Sequence, residues 1–90
     1  MPSKLKRTEY NQTAYQLEIT TRHKETKKIT IFNEQVVGPT INSLNIHRKP
    51  EILKSVYTNY MADQKNYFDD YEIVSVQVSW GKGNSENLLI

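Results

Sequence analysis

A chain of 90 residues with 37% apolar content builds one small core, so a single domain is expected. The absence of cysteine excludes a disulfide framework, a thiolate metal site and a cysteine nucleophile. A formal net charge of +2 argues against wholesale mimicry of DNA.

The charge is unevenly spread. Residues 1–50 carry nine Lys/Arg against four Glu, and residues 51–90 carry three Lys against six acids. Two readings follow: a basic binding surface opposite an acidic one, or an ordinary solvated exterior. No apolar run reaches the length of a membrane helix, and Met1–Arg7 lacks the apolar segment of a signal peptide. A cytoplasmic protein with no membrane association is therefore expected. Nine Lys to three Arg, with eight Asn, eight Ile and six Tyr, reflects AT-rich codons and points to a phage or mobile-element accessory protein.

Residues 1–11 are polar and basic (Lys4, Lys6, Arg7) and are expected to form a flexible arm ahead of a single domain over 12–90. Thr13–Arg22 alternates, with Tyr15, Leu17 and Ile19 on one face, and reads as a strand. Thr26–Phe32 reads as its hairpin partner, with Ile29 and Ile31 inward. Placing both apolar sets on one face requires an odd number of loop residues. A three-residue loop centred on Lys24 would pair Ile19 with Ile29 and Leu17 with Ile31, and would set Glu18 near Lys28. Gly38-Pro39 is expected to break any long element, with a short helix over Pro39–Leu44 and a loop over Asn45–Arg48.

Pro50–Tyr67 has the spacing of a helix. Pro50 suits its first turn and Glu51 the positive end of its dipole. Ile52, Val56 and Tyr60 beside Leu53, Tyr57 and Met61 form one broad apolar stripe. Asp69-Asp70 then turns the chain into Tyr71–Trp80, the cleanest strand signal present. There Val74, Val76, Val78 and Trp80 are expected to face the helix, and Tyr71, Ser75, Gln77 and Ser79 the other side. Gly81–Ser85 is turn chemistry, and Asn87–Ile90 is expected to close the core as a short last strand. The fold class is thus α+β: a small antiparallel sheet of three to four strands in the order β-β-α-β, with or without the short final strand, and one main helix on one face.

No residue constellation points to catalysis. His23 and His47 lie on different segments without a second ligand at a metal spacing, and Asp69-Asp70 reads as a turn. No strained glycine elbow surrounds a serine, and Gly81-Lys82-Gly83-Asn84 lacks the spacing of a phosphate loop. No enzyme activity, metal or cofactor is expected. What remains is binding. The leading expectation is a protein partner that the chain blocks or regulates, for example as an anti-CRISPR-like inhibitor of a host defence or nucleic-acid-handling enzyme. The alternative is direct nucleic-acid binding through the basic arm and basic hairpin, where Lys/Arg interleave with tyrosines. A homodimer through an exposed strand edge is a further option. The candidate binding residues are Arg22, His23, Lys24, Lys27, Lys28, Arg48, Lys49, Tyr71 and Gln77.

Overall fold

The computed structural model describes residues 12–88. The expected basic arm and the last two apolar residues, Leu89 and Ile90, lie outside the described residues. Strands β1 (Gln12–His23) and β2 (Ile29–Pro39) form a hairpin. A 3-10 turn (Ile46–Arg48) leads into helix α1 (Lys49–Gln64), followed by β3 (Tyr71–Trp80) and β4 (Asn84–Leu88). The sheet order is β2-β1-β3-β4 with every neighbouring pair antiparallel, so the α+β class holds, and a final short strand is present that begins at Asn84, within the stretch expected to turn, rather than at Asn87.

Helix α1 uses the expected stripe. Ile52, Leu53, Val56 and Tyr57 are buried, and Tyr60 and Met61 pack at the margin of the core. Leu53, Val56, Tyr57, Tyr60 and Met61 meet Tyr15, Leu17 and Ile19 of β1 and Val76 and Val78 of β3, the strands at the centre of the sheet. The helix ends at Gln64 rather than Tyr67, because Lys65 takes a left-handed φ of 52°. Phe68 is thereby returned to the core, where it stands edge-on to Phe32, Tyr67 and Tyr71.

Three further expectations are overturned. In the hairpin, Ile19 lies opposite Phe32, Leu17 opposite Glu34, and Arg22 opposite Ile29. The closing bond runs from His23 N–H to Lys28 O (2.9 Å) and leaves Lys24–Lys27, an even number of residues, in the loop. Glu18 faces Asn33 and not Lys28. Ile29 and Ile31 therefore point away from the helix and stand half exposed, and Phe32 and Val36 pack inward instead. The physical reason is that β2 holds apolar residues at both parities, and the larger Phe32 is the one the core accepts. Lys27 takes the left-handed position (φ 64°) that lets this longer loop close.

The second correction concerns Val74. A bulge in β3 pairs Thr20 with Ser75 but Thr21 with Ile73, leaving Val74 without an opposite residue. The extra residue reverses the alternation, so Val74 turns outward (49% exposed), whereas Ile73 and Tyr71 join the helix side. Tyr71 was expected on the open face; its ring instead packs against Phe32 at 5.6 Å and His23 at 5.3 Å.

The third concerns Gly38-Pro39, which does not break β2. The strand runs to Pro39, with Gly38 paired to Thr13. The residues after it form no helix before Ile46. Asn42 and Asn45 pin that loop: Asn45 Oδ1 accepts from Asn42 N–H, Asn42 Oδ1 accepts from Leu44 N–H, and Asn45 Nδ2 donates to Thr40 O.

Burial also sets an alkaline limit. The Tyr15 and Tyr57 hydroxyls are pushed above the usual tyrosine pKa by loss of solvation, as is Tyr60, where Glu34 and Tyr67 add to the effect. Their folded pKa values thus exceed those of the unfolded chain, near 10. The contribution is complete below about pH 10 and is lost as pH rises above it, since the unfolded chain ionises first. Thermal melts between pH 8 and pH 11 should show a falling Tm, with a shallower fall in Tyr15→Phe/Tyr57→Phe. An equal slope in both proteins would contradict this.

Candidate functional site

Helix α1 covers one face of the sheet and leaves the other open. Four rows cross the open face, set by the strand registers. The first joins Ile29, Arg22 and Glu72, and the second joins Ile31, Thr20 and Ser75 beside the bulged Val74. The third joins Asn33, Glu18, Gln77 and Asn87, and the fourth joins Gln35, Gln16, Ser79 and Ser85. Ile29 and Ile31 on β2 and Val74 on β3 stand outward at the hairpin end, with Arg22 and Thr20 of β1 between them; amides and hydroxyls follow, and exposed Val37 lies opposite Ala14 at the far end. Arg22 Nη1 and Glu72 Oε1 meet at 3.3 Å, where solvent weakens their attraction.

No aromatic side chain lies on this open face among the described residues. Tyr15, Phe32, Tyr57, Tyr60, Phe68, Tyr71 and Trp80 all belong to the helix side. Single-stranded nucleic acid bound on a sheet needs aromatic platforms for its bases, and this sheet face supplies none.

The sequence-derived candidates separate into three places. Lys24, Lys27 and Lys28 are exposed together on the hairpin tip. His23, at its base, is held by structure: Nδ1 accepts from the N–H groups of Glu25 (3.1 Å) and Thr26 (3.3 Å). Only an imidazole with its proton on Nε2 accepts there, so the ring serves as a cap for the loop. Arg48 and Lys49 lie at the far end of the sheet. Lys49 Nζ contacts Glu86 Oε2 at 2.6 Å, and Glu86 sits opposite Val78, seven positions along β3 from Tyr71. At a strand rise of about 3.3 Å, that places Lys49 roughly 20 Å from the hairpin base. Arg48 donates to Glu51 (3.0 Å), which raises the arginine pKa and holds the carboxyl below its usual range. The basic residues therefore do not form one patch: the lysines of the tip stand together, and Arg22, Arg48 and Lys49 are each ion-paired. Gln77 alone of the candidates lies in the middle of the open face.

Comparison with protein-family models, with curated proteins and with solved structures gives no match.

Ile29, Ile31 and Val74 are the surface residues that sequence reasoning assigned to the core. A signal for Val74 existed. Tyr71 and Ile73 are apolar at odd positions, whereas Val76, Val78 and Trp80 are apolar at even ones, and that change of parity at Val74–Ser75 is what a bulge produces. A concavity of about 460 Å³ runs between α1 and the edge strand β4, floored by Leu53, Tyr57 and Leu88 and rimmed by Lys49, Lys54 and Glu86. Among the described residues, no three His, Cys, Asp or Glu side chains come together in a group that would hold a metal ion. No helix among them is long and apolar enough to cross a membrane.

Proposed function

We propose that this chain is a non-enzymatic binding protein that seats the open face of its sheet on a protein partner and blocks or regulates that partner by occupying its surface. One observation carries the reading. Ile29, Ile31 and Val74 stand half exposed at the hairpin end of the open face, and they border a field of amide and hydroxyl groups. Apolar contact beside adaptable hydrogen bonding suits recognition of a folded surface. A second reading, nucleic-acid binding by charge alone, rests on the three exposed lysines of the hairpin tip.

Affinity capture with the wild-type chain and with Val74→Asp/Gln77→Arg as baits separates the readings. The expected result is a stoichiometric protein retained by the wild type at moderate salt and lost from the variant. Identical captures from both baits would sink the open-face reading. Retention of nucleic acid that elutes steeply between low and moderate salt, and disappears in Lys24→Glu/Lys27→Glu/Lys28→Glu, would replace it with the second reading.

A further inference from the structure

The two edges of the sheet are unlike. β4 has five residues, and only Ser85 and Asn87 turn their backbone groups away from β3. β2 has 11, and its bonding to β1 alternates. The pair formed by His23 and Lys28 is hydrogen-bonded, so the same phase continues through Thr21 with Thr30 and Ile19 with Phe32. The backbone N–H and C=O groups of Ile29, Ile31, Asn33, Gln35 and Val37 therefore face outward from the edge, and no described residue pairs with them. Natural edges are usually blunted by lysine, proline, bulges or brevity. Between Ile29 and Val37 this edge has none of these, and its one charged residue, Glu34, lies on the helix side.

The strand is also complementary to itself. We propose that two copies of this chain pair antiparallel through the β2 edge, about a two-fold axis at Asn33, into one continuous eight-stranded sheet. In that register Ile29 lies opposite Val37 of the second copy, Ile31 opposite Gln35, and Asn33 opposite Asn33. All five outward backbone positions are then matched, for about ten main-chain hydrogen bonds. The exposed apolar residues Ile29 (49%) and Val37 (60%) cover one another at both ends. On the helix side Phe32 faces Glu34 of the second copy, and Thr30 faces Val36.

The neighbouring registers are worse. Centring the axis on Glu34 sets two carboxylates directly opposite, which is destabilising. Centring it on Phe32 moves Val37 past the end of the strand, opposite Lys27. The contact is isologous and closes at two copies. It leaves the open faces of both copies on the same side.

Sedimentation equilibrium of the wild-type chain at submillimolar concentration should give a dimer. Ile31→Lys, at a site already half exposed, should keep its melting temperature and weaken self-association by roughly tenfold or more. Thr58→Lys, on the exposed side of α1, should leave it unchanged. The chain has no cysteine of its own, so Asn33→Cys should form an intermolecular disulfide on mild oxidation. The Cα separation across a hydrogen-bonded antiparallel pair, about 5.5 Å, suits that bond. Thr58→Cys should not cross-link. A monomeric wild type overturns the proposal, as when other residues of the same chain cover this edge. So does a dimer that ignores Ile31→Lys and fails to cross-link through Asn33→Cys.

Discussion

Tyr15→Ala should cost about 3–5 kcal/mol of folding stability, a large part of what a domain of this size possesses. Tyr15 is fully buried on the central strand β1. Its ring packs against Trp80 at 5.9 Å and against the backbone of Gly38, and its hydroxyl donates to Pro39 O. One side chain thus ties β1 to the end of β2 and to β3. Tyr15→Phe keeps the ring and loses only the hydrogen bond, so it should cost about 1 kcal/mol. Urea unfolding of the two variants measures both. If Tyr15→Phe proves as damaging as Tyr15→Ala, the hydroxyl and not the ring holds this corner, and the packing account is wrong.

Gly38→Ala should cost about 1–3 kcal/mol even though it adds a single methyl group. A Cβ at Gly38 would lie 2.8 Å from Val56 Cγ2 and 3.2 Å from Tyr15 Cε2. The constraint is space and not backbone conformation, since Gly38 is absent from the residues with positive φ. Helix α1 and β2 approach each other here with no room between them. Val56→Ala alone costs about 2 kcal/mol by leaving a cavity. The double variant should be less unstable than the sum of the two, because the new methyl fills the space vacated by the old one. Chemical denaturation of the four proteins gives the coupling; strict additivity would show that Gly38 and Val56 do not compete for that space.

These two predictions bear on where sequence reasoning succeeded. Tyr15, Leu17 and Ile19 on one strand face, and the double row from Ile52 to Met61 on the helix, were legible because each is a local periodicity within one element. Gly38 was legible only as a breaker. Its role depends on Val56, eighteen residues on, and no local pattern encodes that contact. The same limit governs the candidate surface. Gln77 was placed correctly, since β3 beyond the bulge keeps strict alternation. Tyr71, on the other side of the bulge, was placed on the wrong face by one unpaired residue. Arg22, Arg48 and Lys49 read as a shared basic character, but charge in sequence carries no information about distance, and their carboxylate partners come from elsewhere in the chain.

The class, the helix and strands β1 and β3 follow from local pattern alone, because buried faces repeat with the period of the element that carries them. Which apolar residues of β2 and β3 are core and which are surface depends on the packing of the whole chain. Ile29, Ile31 and Phe32 compete for one face, as do Ile73 and Val74, and their hydrophobicities alone leave the competition open. The choice falls to the register of the hairpin and to the bulge opposite Thr20, and both are set by what packs beneath the sheet. The candidate interaction surface is the set of residues that this packing turned outward.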